Sequence, residues 1–200
     1  MLNKGYFIVL EGVDGAGKTS IALRLVSELN RMGFKAAYTY EPTDSEIVKV
    51  IKSRYNNLRD PYIDALTFAL DRLLHIKEKI KPLLEEHAIV VSDRYFYSSV
   101  AYQSASGAPF EWILEVNKYA LKPDLAVYLD VDPQEGLSRK ASASSRFPEY
   151  EEVEFLRRVR EAYLRMVGMG LLLSINASRP LEHVYEDVWR AVYSLISRGM

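Results

Sequence analysis

Eight consecutive residues, Gly12-Val13-Asp14-Gly15-Ala16-Gly17-Lys18-Thr19, carry the spacing of a phosphate-binding loop: a glycine, four residues, then Gly-Lys-Thr. Such a loop holds a phosphate chain by aiming backbone N–H groups inward, and its glycines let the backbone wrap closely enough to do so. Lys18 is expected to reach the outer phosphates and Thr19 to ligate magnesium (Mg2+), while the helix beginning there adds the positive end of its dipole. The chemistry implied is the handling of a nucleoside triphosphate.

A second group of chemical residues follows the apolar run Ile89-Val90-Val91-Ser92, which ends in Asp93-Arg94. A carboxylate at the end of such a strand is where phosphate-loop proteins place the acid that holds magnesium through water. Arg94 beside it can fork onto phosphate oxygens. Glu41-Pro42-Thr43, Asp130 with Asp132, and Asn176 with Ser178 follow other apolar runs in the same way. In open parallel sheets, ligands gather beyond these carboxyl ends. Asp132 before Pro133 reads as a helix cap, and His75, His87 and His183 show no metal-ligand spacing and read as structural.

Aligning these groups requires a sheet. Apolar, β-branched runs recur at 6–10, 36–40, 88–92, 125–131 and 171–175, with helical patterns between them. Strands alternating with helices predict an α/β chain: a three-layer α/β/α phosphate-loop NTPase fold with a five-stranded parallel sheet. Helices are predicted over 17–32, 62–86, 95–105, 110–121, 133–141, 151–168 and 181–198. The long one shows apolar spacing through Leu66, Leu70, Leu73, Ile76 and Ile80, and Pro82 can kink its end. Ala141-Ser142-Ala143-Ser144-Ser145 is small and polar and reads as a mobile segment.

Two hundred residues with 48% hydrophobic content suit a single domain, 1–200. A net charge of −1, from 26 basic and 27 acidic residues, argues against nucleic acid as a partner, because an extended polyanion calls for a basic surplus. Without cysteine there is no disulfide framework, thiol nucleophile or thiolate metal site. No apolar run approaches the length that spans a bilayer, and no cleavable leader is read, so no membrane partner and a cytoplasmic location are expected.

Taken together the motifs resemble the thymidylate kinase family, nucleoside-monophosphate kinases that phosphorylate dTMP to dTDP with ATP. The resemblance rests on Glu11-Gly12-Val13-Asp14-Gly15-Ala16-Gly17-Lys18-Thr19, on the segment from Asp93-Arg94-Tyr95 to Tyr102-Gln103, on Lys122-Pro123-Asp124 with the run that follows, and on Gly136-Leu137-Ser138-Arg139, which opens a helical lid at about 136–150. It covers nearly the whole chain and implies ATP and dTMP as substrates, magnesium as cofactor and a homodimer packed through the helices after strands two and three. Gly12 to Thr19 and Arg139 are then the ATP-binding residues, with Arg139 against the adenine, and Thr19 and Asp93 hold the metal.

For dTMP the resemblance implies Asp14 near the sugar 3′-hydroxyl, Arg94 on phosphate, and Phe68 stacked on thymine with Arg72 donating to its O4. Phe68 and Arg72 lie one helical turn apart, about 6 Å of rise, so both can face one site. Ser98 and Ser99 are expected at the base edge and Tyr102 where a ribose 2′-hydroxyl would be. Lys18, Asp93, Arg94 and Arg146 are the catalytic set. Two departures from the family stand out. The arginine commonly found beside the Glu-Pro turn is absent, with Tyr40 and Thr43 in its place and Arg54 or Lys18 as alternatives. The family's arginine over the transferring phosphate comes from the loop or the lid; the loop interior, Val13 to Ala16, has no base, which leaves Arg139, Lys140 and Arg146.

Two other readings compete. A kinase for another monophosphate or nucleoside would share the loop and the strand-end acid but differ in the base pocket. A nucleotide-dependent switch is suggested by Asn117-Lys118-Tyr119-Ala120, although Ala120 replaces the acid that would contact guanine.

Overall fold

The computed structural model describes residues 4–140 and 152–198. Its frame is a sheet of β1 (Tyr6–Glu11), β2 (Ala36–Tyr40), β3 (Ile89–Asp93), β4 (Leu125–Asp130) and β5 (Leu173–Asn176), in the order β2-β3-β1-β4-β5 with every pair parallel. β1 and β3 are buried at every position, as central strands covered on both faces must be. The edge strands β2 and β5 are more exposed. Each predicted strand is present, to within two residues at either end.

Helices cover both faces. α1 (Lys18–Arg31) packs on β1, β2 and β3, and α9 (Leu181–Ser197) on β4 and β5. The two meet where Arg24 grips Glu182 and lies 3.8 Å above the Tyr185 ring. On the other face stand α3 (Pro61–His75), α4 (Lys81–Glu85), α5 (Phe96–Ala105), α6 (Phe110–Val116) and α8 (Val153–Gly168). α7 (Pro133–Lys140) follows β4, and Asp132 caps it by accepting the Gln134 N–H at 2.9 Å.

Four expectations need correction. The helix predicted over 62–86 is three pieces: α3, a π-helical turn at Ile76–Ile80, and α4 with Pro82 in its first turn. The widened turn carries the strain ahead of the proline. Its apolar stripe is also not a core stripe: Ile76 and Ile80 are buried, but Leu66 is 54% and Leu70 48% exposed. The inward face of α3 is instead Asp64, Phe68, Asp71, Arg72 and His75. The helix predicted over 110–121 stops at Val116, where Asn117 turns its amide back onto the Ile113 carbonyl at 2.8 Å. Finally, α2 (Glu46–Arg54) and a 3-10 turn at Asn56–Leu58 occupy a stretch for which no element was predicted.

Candidate active site

Parallel pairing sets Leu10 beside Asp93, so the loop after β1 and the acid ending β3 leave the sheet side by side. Thr19, in the first turn of α1, donates its hydroxyl to the Asp93 carboxylate. Lys18 is buried and folds back to donate to the Val13 carbonyl at 2.9 Å. Burial, then the Arg94 guanidinium, pulls its ammonium down to about 8 against Asp93, Asp14 and Glu11. Val13 and Ala16 turn their side chains into the core, so they can meet a ligand only through their backbone, as can Gly12. Gly15 has φ 79°, and a Cβ there would lie 1.9 Å from the Gly136 carbonyl oxygen of α7; a Cβ on Gly136 would lie 2.7 Å from the Asp14 carbonyl oxygen. The loop and α7 therefore touch backbone to backbone.

Arg94 has φ 70°, a left-handed conformation costing a non-glycine residue about 1–3 kcal/mol. Its N–H donates to the Leu10 carbonyl at 2.9 Å, and its own carbonyl accepts from Ser92 Oγ at 2.7 Å. That turn aims the guanidinium at the loop, where it donates to the Gly12 carbonyl at 2.9 Å, to Ser98 Oγ at 3.1 Å and to the Asp14 carboxylate. Burial pushes the Asp14 carboxyl up, but Arg94, Lys18 and Lys140 outweigh it and hold it well below the usual carboxylate range.

From here a cavity of about 720 Å3 runs between the loop and α3. Phe68 and Arg72 line its far end together, as expected from their spacing. Arg72 is clamped: Nε donates to Glu41 at 2.6 Å, Nη2 to Ser99 Oγ at 3.3 Å, and Nη1 to Asn117. Glu41 is itself held by His75, whose other nitrogen meets Thr39 Oγ1 at 2.6 Å. Ser98, Ser99 and Tyr102 of α5 line the same cavity, with the Tyr102 hydroxyl 3.4 Å from Arg94 Nη2. Tyr38, Tyr40 and Pro42 line the β2 side, and among the described residues Arg54 does not.

Arg139 and Lys140 reach the cavity from α7. Arg139 donates to the Ala177 carbonyl at 2.8 Å and pairs with Glu135 at 2.6 Å, while Lys140 pairs with Asp14. Arg146 and the serine-rich stretch, like all of 141–150 in the segment expected to form a lid, lie outside the described residues.

Against known sequences, the sequence model of the family described as thymidylate kinase matches residues 10–188. The chain belongs to the thymidylate kinase family. It is 55% identical over 190 residues to a probable thymidylate kinase of Staphylothermus marinus, covering 95% of this chain and 96% of that one. It is 41% identical over 196 residues to one of Pyrobaculum calidifontis, with 97% of each covered. A Pyrococcus abyssi relative with the same name is 39% identical over 196 residues, covering 92% of this chain and 94% of its own.

For a thymidylate kinase family member, two residues in or beside the site went unassigned in the sequence. Glu11 ends β1 fully buried and accepts from Tyr95 N at 2.8 Å, Ser98 N at 3.2 Å, Ser98 Oγ at 2.6 Å and Tyr163 Oη at 2.9 Å. Burial lifts its carboxyl above the usual range, although Ser98, Arg94, Tyr163 and Tyr95 pull the other way. Because α5 has no side-chain cap of its own, Glu11 caps that helix from a different strand. The only signal was a charge closing a wholly apolar run. Gln103 is the other: buried, lining the cavity, its Oε1 has no hydrogen-bond partner among the described residues. One helical turn after Ser99, it had spacing to mark it.

Proposed function

We propose that the chain transfers the γ-phosphoryl group of ATP to dTMP, giving dTDP and ADP. One observation carries the reading: a single cavity joins the phosphate loop to the Phe68–Arg72 pair, with Arg94 and Asp14 between them. A phosphate chain lies along the loop N–H groups and Lys18, and the acceptor base sits between Phe68 and Arg72. A guanidinium favours the thymine carbonyl over an exocyclic amine. The unpaired Gln103 carbonyl oxygen supplies an acceptor for the ring N–H, and the aromatic face stacks.

The acceptor phosphate oxygen is already anionic, so positioning and charge neutralisation do the work and no general base is needed. Arg94 grips that phosphate, and the lid excludes water. Thr19 and Asp93 offer converging hard oxygens. This suits Mg2+, which takes few protein ligands beside phosphates and water. When bound there it neutralises donor phosphate charge. We take residues 1–200 as one kinase domain with a lid at about 136–150, and a homodimer as its assembly. The exposed apolar face of α3, Tyr62, Leu66 and Leu70, supports the dimer. Among the described residues no helix is long and apolar enough to cross a membrane. The switch reading is disfavoured because Asn117 is buried and spent on Arg72.

The test is ATP consumption with magnesium against each common monophosphate. Turnover that depends on dTMP, and that Lys18→Met reduces by orders of magnitude, is expected. Preference for another acceptor would overturn the roles of Phe68, Arg72 and Gln103, and acceptor-independent hydrolysis would return the switch.

A further inference from the structure

Asp14 stands among three cations. Its Oδ1 takes Arg94 Nη2, its Oδ2 takes Lys140 Nζ, and Lys18 acts on it from the loop. Two cations on the two oxygens of one carboxylate lie at most roughly 8 Å apart, a separation that one phosphate group can bridge with a hydrogen bond to each, so Lys140 and the arginine assigned to the acceptor can share a phosphate. Lys140 is the last residue of α7, at the negative end of the helix, and its side chain is only 14% exposed. The helix is seated by the Gly136 contact with Gly15, and Lys140 comes four residues, about one turn, later. The ammonium is thus delivered over the loop by a backbone contact. Its neighbour Arg139 is committed elsewhere, to Ala177 and Glu135.

We propose that Lys140 is a cation that neutralises charge on the phosphoryl group during transfer, reaching it from the end of α7. In that step the bond from the γ-phosphorus to the β,γ-bridging oxygen breaks, and its electron pair leaves on the β-phosphate. A new bond forms from an oxygen of the acceptor phosphate to the same phosphorus, and no proton moves. Lys18 works from the loop side, Arg94 from the acceptor side and Lys140 from the lid. Because Asp14 already holds the ammonium inside the cavity, little ordering remains when substrates arrive.

This inference rests on the phosphoryl-transfer reading, and the experiment separates the two. Wild-type ATP consumption without dependence on dTMP defeats that reading itself. Given dTMP-dependent turnover, Lys140→Ala is expected to lower kcat tenfold or more, toward 10²–10³-fold, with KM for ATP and dTMP within about threefold. Lys140→Arg retains at least about a tenth of wild-type kcat, and ethylammonium in the assay restores part of the Lys140→Ala loss. A fall in kcat of less than tenfold, or a fall that neither the arginine variant nor ethylammonium recovers, overturns the assignment.

Discussion

Lys18 makes ATP binding a proton-linked event. Burial, and then repulsion by Arg94, pulls its ammonium down to about 8. Only the cation binds a phosphate chain, and a bound polyanion favours the cation, so binding raises this value toward that of an ordinary lysine, about 10.4. The sign follows: protons are taken up when ATP binds at pH values above neutrality. The free enzyme has about 0.9, 0.5 and 0.1 of its Lys18 protonated at pH 7, 8 and 9, so uptake is about 0.1, 0.5 and 0.9 of a proton per ATP. The same arithmetic weakens apparent affinity about tenfold between pH 7 and pH 9. Calorimetric titration of ATP into the enzyme, in paired buffers of different ionisation enthalpy, reads the uptake directly. Lys18→Met supplies the background from ATP and other groups. Uptake at pH 8 below about 0.2 of a proton after that subtraction would refute the claim that burial and Arg94 control this lysine.

Three further outcomes are expected. Leu66→Ala with Leu70→Ala removes two half-exposed leucines from each protomer, worth about 1 kcal/mol apiece at an interface, so the dimer should weaken roughly a thousandfold by sedimentation; unchanged assembly would exclude this face. Glu11→Gln keeps a carbonyl oxygen for the two N–H groups, but it replaces the oxygen that accepts from Ser98 Oγ and Tyr163 Oη with a donor and removes the charge that attracts Arg94; it should raise KM for dTMP about tenfold or more while KM for ATP stays within threefold, and equal rises in both would mean general damage. Gln103→Leu deletes the unpaired carbonyl and should raise KM for dTMP about tenfold with little change for ATP, whereas a neutral result would show that the oxygen does not meet the base.

How much of this was readable in the sequence depended on whether local chemistry or tertiary placement decided the matter. The loop was readable because its glycines and lysine have one dominant use, and Asp93-Arg94 only because that loop precedes it in the chain, since alone such a pair reads as the plain closing of a helix end. The Phe68–Arg72 pair came from the family resemblance; helical spacing added only that both residues can face one site. α2 was hidden because Ile47, Val48, Val50 and Ile51 are β-branched, poor helix formers, and only Val48 of the helix is buried, so no core stripe showed. Leu66 and Leu70 misled for the opposite reason: periodicity locates an apolar face but not what covers it. α3 gives its inward side to polar groups of the cavity and leaves its leucines outward. Glu11 escaped because its partners, Tyr95, Ser98 and Tyr163, are more than 80 residues away in the chain.

The backbone contact between Gly15 and Gly136 has a historical consequence as well as a mechanical one. Any side chain at position 15, an arginine included, must enter space that the lid base already fills, and any side chain at position 136 presses on the carbonyl of Asp14. A chain with this contact cannot accept an arginine at position 15 by that substitution alone. Helix α7 would have to withdraw, taking Lys140 away from Asp14 as it went. Two glycines thus act as a ratchet on how this active site can change.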